Sequence, residues 1–146
     1  MTKKDKALIE SIPVTISSQL SELAKVEQIS ETVSDKMGFN QDEKDNLAIA
    51  ITEVVGNAIV HGNKQDPDKK VFVQFHIYTD RLHVEIQDEG DGFDPEQVDD
   101  PLDPANLMKE SGRGIFILQN LIDAVEFEFS KSGTKVHLTM IKKSGD

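Results

Sequence analysis

Two polar side chains, Glu53 and Asn57, interrupt an otherwise apolar stretch of the sequence. From Leu47 to Val60 the only other polar residue is Thr52. Residues four apart lie on the same face of a helix, and an uncompensated carboxylate in an apolar site is costly. The pattern predicts a largely buried helix. On this helix, Glu53 and Asn57 are either bonded to a structural partner, such as a lysine of the N-terminal segment, or line a cavity.

A carboxylate beside a carboxamide would suit a magnesium ion. Mg²⁺ prefers hard oxygen ligands and takes few from the protein when phosphates supply the rest. Gly56 lies between the two side chains in sequence. A glycine in a helix interior costs about 1 kcal/mol relative to alanine, so Gly56 indicates close approach of a ligand or of another backbone.

Asp88 shares its parity with the apolar side chains of a predicted strand. Apolar residues alternate at the even positions of 82–86, so a strand with a period of two points Asp88 to their face. An acid at the edge of the core needs a hydrogen-bond donor, such as an adenine amino group. Gly90 and Gly92 would let the backbone approach a flat ring. The alternative is that the segment 88–92 is only a turn.

A third segment opens the helix predicted to begin at Ile115. It consists of Ser111, Gly112, Arg113 and Gly114. Free backbone N–H groups and the helix dipole at such a start favour an anion such as a phosphate, although a simple glycine bend is an equal alternative. Lys109 and Arg113 are candidate phosphate contacts, with ordinary solvent exposure as the alternative.

Several other nucleotide and metal sites are excluded by spacing or composition. There is no G-x-x-x-x-G-K-[ST] phosphate loop, and neither glycine pair has the third glycine of a dinucleotide-binding fingerprint. The sixth position counted from Asp88 is Phe93, where a calcium-binding EF-hand loop needs glycine. The absence of cysteine excludes disulfides, thiolate nucleophiles and zinc sites with cysteine ligands.

The charge balance disfavours nucleic acid as a direct partner. Sixteen Lys and Arg residues against 27 Asp and Glu residues give a formal net charge of -11, the wrong sign for neutralising phosphates. No apolar run approaches the ~20 residues of a membrane span, and the N-terminus is charged and followed by only a short apolar stretch. We therefore expect a cytoplasmic protein that binds neither a membrane nor nucleic acid.

Hydrophobic periodicity predicts the order strand, helix, helix, two strands, loop, helix, two strands. The expected elements are a strand at 12–17, a helix at 18–36 that stops at Gly38, a helix from an Asn40–Glu43 capping box through Asn57 toward His61, a hairpin over 71–86, a loop over 88–104, a helix at 115–122 and two strands around Ser132–Gly133.

This order favours an α+β fold. We expect a two-layer sandwich, with a mainly antiparallel mixed sheet and helices on one face. The chain has 146 residues, which is the size of one ordinary domain. The expected organisation is a flexible N-terminus at 1–11, a single domain at 12–142 and a tail at 143–146.

Four sequence boxes resemble those of the histidine-kinase-like ATPase superfamily. They are Glu53-Val-Val-Gly-Asn57-Ala-Ile-Val-His61-Gly62, Asp88-Glu-Gly-Asp-Gly92-Phe93, Ser111-Gly-Arg-Gly114-Ile115 and Gly133-Thr134. Their order and spacing match throughout the region 12–142. The short lid between the second and third boxes, in a domain of this size, resembles the anti-sigma-factor serine/threonine kinases.

The resemblance implies a role for each box. Asn57 would bind Mg²⁺, Glu53 would be the catalytic base and Asp88 would bind the adenine amino group of ATP. The nucleotide pocket would be completed by Gly90, Gly92, Gly112, Gly114 and, at the adenine end, Thr134. Departures from common family choices at Thr52, Val54 and Gly56 leave these positions intact and leave the identity of the partner open.

The resemblance also implies a function. The chain would be an ATP-dependent serine/threonine protein kinase that phosphorylates an anti-anti-sigma partner of the STAS type and otherwise holds a sigma factor. A homodimer is expected on the same ground. Two alternatives remain open: a non-catalytic, nucleotide-gated anti-sigma binding module, and a switch ATPase in which Glu53 activates water.

Overall fold

The computed structural model describes residues 7–90 and 114–143, with the backbone alone for 114–117. The elements are β1 (Leu8–Ser17), a 3₁₀ turn (Leu20–Glu22), α1 (Leu23–Met37), α2 (Gln41–Asn57), a π turn (Ala58–Gly62), β2 (Lys70–Tyr78), β3 (Arg81–Gln87), α3 (Gly114–Leu121), β4 (Ala124–Ser130) and β5 (Gly133–Ile141).

The strands form one sheet in the order β1-β2-β3-β5-β4. Within the described residues, each pair of neighbouring strands is antiparallel. At the centre of the sheet, Phe75 lies opposite Val84, and Val84 lies opposite Leu138. Placing β5 between β3 and β4 brings the start of β5 beside the end of β3. Asp88 follows β3 directly and therefore lies beside the start of β5.

One face of the sheet carries the core. Val73, Phe75, Val84 and Leu138 are each at most 1% exposed, because every second strand residue points to this face. The buried stripes of α1 and α2 and Leu118 of α3 belong to the same apolar cluster. The predicted α+β sandwich with helices on one face is confirmed.

Local signals set the helix boundaries. α1 ends at Gly38, whose φ of 74° is left-handed and favours glycine. α2 begins with the predicted capping box, in which the Asn40 side chain accepts from Glu43 N and Glu43 Oε1 accepts from Asn40 N, both at 2.8 Å. Glu43 Oε2 also accepts a hydrogen bond from Lys143 N at 2.9 Å, so the capping box binds the segment that follows β5.

One expectation needs correction. Residues 8–11, predicted to belong to a flexible N-terminus, extend β1, because their backbone pairs with β2 and Ser11 lies opposite His76. The stretch 47–60 is buried or half-buried, as predicted, except at Ala48 and Ile49, and Ile49 is 52% exposed. A helix lying on a sheet turns one side to solvent, and an apolar residue there is ordinary.

Within the described residues, none of the helices combines the length and apolar character that crossing a membrane requires.

Candidate functional site

Glu53 and Asn57 contact each other on α2. The Asn57 Nδ2 group donates a hydrogen bond to Glu53 Oε2 at 3.2 Å, and both residues are half-buried. The predicted polar pair is therefore formed, with the amide nitrogen turned to the carboxylate. The carbonyl oxygen of Asn57 remains available as a hard ligand for a cation.

Gly56 lies beside this pair and has open space around it. A Cβ built at Gly56 would meet no described atom within 4 Å. No described backbone approaches Gly56, so close approach of another backbone does not explain this glycine. The other interpretation, close approach of a ligand, agrees with the open space around it.

The helix continues beyond Asn57 as a π turn, Ala58–Gly62. Asn63 N donates to Ala58 O at 2.8 Å, five residues back, which is the π-helical spacing. Single π turns are frequent at functional sites. Here the turn carries the backbone of Gly62 against the side chain of Asp88.

Asp88 is buried, as strand parity predicted, with an exposure of 6%. Its Oδ1 accepts hydrogen bonds from Gly90 N at 3.0 Å and from Thr134 N at 3.1 Å. Burial raises the pKa of Asp88 above its ordinary value, and the two backbone hydrogen bonds act against that rise. Among the described donors, both bonds reach Oδ1, so Oδ2 can accept from a ligand.

Three glycines let backbone segments approach Asp88. A Cβ at Gly62 would collide with Asp88 Oδ2, and one at Gly90 would collide with Gly62 O. A Cβ at Gly133 would collide with Asp88 O, and Gly133 also has a φ of 146°, which L side chains rarely adopt. The carboxylate thus lies where the π turn, the end of β3 and the start of β5 converge.

A buried network holds the same segments together. Asn63, 1% exposed, donates from Nδ2 to Ser18 Oγ at 2.8 Å and to Lys70 O at 2.9 Å. Its Oδ1 accepts from Glu89 N at 2.8 Å, and Glu89 Oε1 in turn accepts from Lys70 N at 2.7 Å. One amide side chain therefore joins the end of β1, the start of β2 and the residue after Asp88.

Thr134 is half-buried near the start of β5, and its backbone pairs with that of Asp88. Gly114 is the first residue of α3, which packs against α2, so the helix begins one residue before the predicted Ile115. Five predicted site residues lie outside the described ranges: Gly92, Lys109, Ser111, Gly112 and Arg113.

The described residues form two polar centres along one helix. Asp88 lies beside Gly62, at the end of the π turn that continues α2, and the Glu53–Asn57 pair lies earlier on α2 itself. With a rise of ~1.5 Å per residue, the nine positions from Glu53 to Gly62 span roughly 13 Å. An acceptor at one end and a carboxylate with a free amide oxygen at the other suit an elongated ligand, with an amino group at one end and a metal-bound anion at the other.

Gly62 and Gly133 fall within the sequence boxes, but no role in the site was predicted for them or for Asn63. Gly62 and Asn63 were interpreted as a helix break, and their consecutive positions after an apolar helix were the available signal. Gly62 and Gly133 lie against Asp88, and Asn63 bonds the next residue, Glu89. These contacts join segments that are distant in sequence, so the local sequence does not contain them.

Comparison with known proteins gives one consistent result. A family model described as histidine kinase-like ATPase domain matches residues 16–142. The serine-protein kinase RsbW of Bacillus subtilis is 34% identical over 113 residues, which cover 73% of this chain and 70% of that protein. The serine-protein kinase RsbW of Listeria innocua is 30% identical, with 73% and 71% covered.

Solved structures agree at the level of the fold. The RsbU and RsbW domains of Rv1364c from Mycobacterium tuberculosis superpose with a TM-score of 0.67 at 16% identity, covering 90% of this chain and 32% of that one. The histidine kinase domain of a blue-light activated kinase from Erythrobacter litoralis gives 0.55 at 17% identity, with 86% and 61% covered. The expected histidine-kinase-like ATPase fold is confirmed.

Proposed function

The chain belongs to the histidine kinase-like ATPase family and to its anti-sigma-factor serine kinases, and from that premise we propose that it transfers the γ-phosphoryl group of Mg-ATP to a serine or threonine of an anti-anti-sigma protein of the STAS type. The observation that carries the proposal is the buried Asp88, whose described backbone donors both reach Oδ1.

Asp88 would bind the adenine end. Its Oδ2 accepts a hydrogen bond from the exocyclic amino group, which supplies a donor to the oxygen that neither backbone bond reaches. Gly62, Gly90 and Gly133 keep side chains out of the space around the carboxylate. Thr134 and Gly92 would support the adenine end of the pocket.

Asn57 would hold the metal. Because its Nδ2 is bonded to Glu53, its Oδ1 is oriented away from that contact and can serve as an oxygen ligand. When bound, Mg²⁺ neutralises phosphate charge and orients the triphosphate. Lys109, Ser111, Gly112, Arg113 and Gly114 would contact the phosphates, with α3 presenting its N-terminal N–H groups.

Glu53 would act as the general base. Its Oε2 is held by Asn57, which leaves Oε1 to accept the proton of the substrate hydroxyl. As the serine oxygen forms its bond to the γ-phosphorus, the bond from that phosphorus to the β–γ bridging oxygen breaks, and ADP leaves with that electron pair. The chain's own contribution is the orientation of one carboxylate and the placement of the nucleotide.

The partners follow from the family. We propose that the unphosphorylated anti-anti-sigma protein and a sigma factor compete for this chain, which functions as a homodimer without binding DNA. Pull-down from the native extract, followed by mass spectrometry, would identify both partners. Light scattering of the purified chain would measure its oligomeric state.

The deciding experiment is transfer of labelled phosphate from γ-labelled ATP to the captured anti-anti-sigma protein. We expect the wild type to label it, Glu53→Gln to bind Mg-ADP but not to label it, and Asp88→Ala to do neither. Glu31→Gln, an exposed acid on α1, is the matched control and should behave as wild type.

Two results would contradict the kinase proposal. Tight nucleotide binding without labelling of any captured partner supports the binding module. Phosphate release at the same rate with and without a protein acceptor supports the switch ATPase. In both cases Mg-ADP binding that depends on Asp88 would survive, so the nucleotide site and the reaction are tested separately.

A further inference from the structure

Three of the four histidines lie together on the face of the sheet that the helices leave open. His76 of β2 is paired directly with His83 of β3, and Glu85 of β3 is paired directly with His137 of β5. This cluster is separated from the nucleotide site by the sheet itself, because the strand residues of the core alternate with these positions. It takes no part in the proposed phosphoryl transfer.

The distances within the cluster match a metal site. His83 Nε2 lies 3.2 Å from His137 Nδ1 and 3.6 Å from Glu85 Oε2, and one ligand atom from each of the three residues lies within 4.8 Å of the others. Tetrahedral zinc with bonds of roughly 2.0–2.1 Å separates its donor atoms by about 3.3–3.4 Å. Three ligands are therefore close to position on two neighbouring strands.

The outer nitrogens of both imidazoles already have partners. His137 Nε2 lies 2.8 Å from Glu128 Oε1, and because a carboxylate only accepts, this nitrogen carries the proton. In a neutral ring the inner Nδ1 is then a lone pair. His83 Nδ1 lies 3.3 Å from Thr139 Oγ1. A carboxylate behind a metal-binding histidine is a usual outer partner in such sites.

The inner nitrogens need a cation or a proton between them. With His137 Nδ1 as an acceptor, His83 either donates a proton from Nε2 or turns a second lone pair to the same point.

Lys135 and His76 both lie near the carboxylate of Glu85, and a bound metal ion would compete with His76 for Oε2. Lys135 Nζ is 3.9 Å from Glu85 Oε1, the oxygen that the site does not use. His76 Nε2 is 3.6 Å from Oε2, and its other nitrogen, Nδ1, is held by Ser11 Oγ at 2.9 Å. The formal charge of -11 on the whole chain also favours binding of a cation.

We propose that His83, Glu85 and His137 bind one Zn²⁺ ion, with water as the fourth ligand. Two imidazoles and one carboxylate select zinc over the magnesium of the nucleotide site, since Mg²⁺ takes oxygen ligands. The ion links β3 to β5, whose ends meet at Asp88 and Thr134. It therefore acts as a clamp on the strands that hold the adenine-binding carboxylate.

The test is a calorimetric titration of the untagged full chain with ZnCl₂ in the absence of nucleotide. We expect one ion per chain. His83→Gln and His137→Gln should each weaken zinc binding beyond about 100-fold, and Glu128→Gln, which removes only the negative charge of an outer partner, should weaken it about tenfold. His61→Gln, the exposed fourth histidine, is the matched control and should bind as wild type.

Circular dichroism checks that each variant is folded, and the exposed position of Glu128 keeps that variant informative if a histidine variant fails. Thermal unfolding gives a second measurement, because an ion that binds only the folded chain raises its Tm. Zinc should raise the Tm of wild type and His61→Gln but not that of His137→Gln. A wild type that binds no zinc, or His83→Gln and His137→Gln variants that bind it undiminished, would overturn the proposal.

Discussion

Asp88 and Thr134 are joined by reciprocal hydrogen bonds. Asp88 N donates to Thr134 O at 3.0 Å, and Thr134 N donates to Asp88 Oδ1 at 3.1 Å. The first bond continues the pairing of β3 with β5 by one residue, and the second fixes the orientation of the carboxylate. The sheet therefore positions the side chain that we propose as the adenine acceptor. Thr134 N fixes that side chain through Oδ1, and Oδ2 is the oxygen that we propose for the ligand.

Asp88→Asn should separate nucleotide binding from stability. An asparagine Oδ1 can still accept from Gly90 N and Thr134 N, but its Nδ2 cannot accept from an adenine amino group. We expect Mg-ADP binding to be lost in calorimetry while the free energy of unfolding at neutral pH is equal to that of wild type or higher. Undiminished nucleotide binding by this variant would remove Asp88 from the site.

The raised pKa of Asp88 predicts a pH-dependent stability that the same variant can test. The folded-state pKa of Asp88 is raised, chiefly by burial. Its protonated form therefore contributes stability at pH values below the ordinary pKa of an aspartate, and that contribution is lost as pH rises through the folded-state pKa. Asp88→Asn removes the titration. Its advantage over wild type in urea unfolding should therefore grow as pH increases between about pH 4 and pH 7, and a difference that stays constant would contradict the shift.

Two glycines on the same helical segment should respond oppositely to alanine. At Gly62 a Cβ collides with Asp88, so Gly62→Ala should reduce the free energy of unfolding by about 1–3 kcal/mol. At Gly56 a Cβ meets no described atom within 4 Å, so Gly56→Ala should raise it by about 0.5–1 kcal/mol through helix propensity. Urea unfolding of both variants measures the difference. Equal effects at the two positions would contradict the packing around Asp88.

Local sequence signals predicted the elements and the layer architecture, but not the register between strands. The Asn40–Glu43 capping box and the stop at Gly38 depend on contacts within a few residues, and both are formed. The burial of Asp88 followed from strand parity because β3 is regular through Gln87. In each case the structural cause lies inside the segment that carries the signal.

The features that sequence reasoning missed depend on strand register. The pairing of Glu85 with His137 joins residues from β3 and β5, and parity alone could place each on the open face without making them neighbours. The backbone ladder that extends β1 to Leu8 likewise depends on β2. Long-range register is set by packing of the whole sheet, which a local pattern does not contain.

Asn57→Ala should remove the effect of magnesium on nucleotide binding. If Asn57 Oδ1 is the metal ligand, the affinity of wild type for ADP rises when Mg²⁺ is added, and that of the variant does not. Calorimetry with and without Mg²⁺ gives both values. Thr52→Ala, whose hydroxyl instead bonds Glu27 Oε2 at 3.2 Å, is the control and should keep the magnesium effect. A magnesium effect of wild-type size in Asn57→Ala would exclude this residue as the ligand.

Asn63→Ala should be the most destabilising polar change near the site. It leaves the N–H of Glu89 and the carbonyl of Lys70 without the partner that Asn63 supplies, at a position that is 1% exposed. Buried groups left unpaired cost about 1–3 kcal/mol each, so we expect a loss of roughly 2–4 kcal/mol in the free energy of unfolding. Asn46→Ala, at a partly exposed position of α2, should change it by less than about 0.5 kcal/mol. Because Asn63 holds the residue after Asp88, the variant should also weaken Mg-ADP binding. A stability change no larger than that of Asn46→Ala would show that the network contributes nothing to the fold.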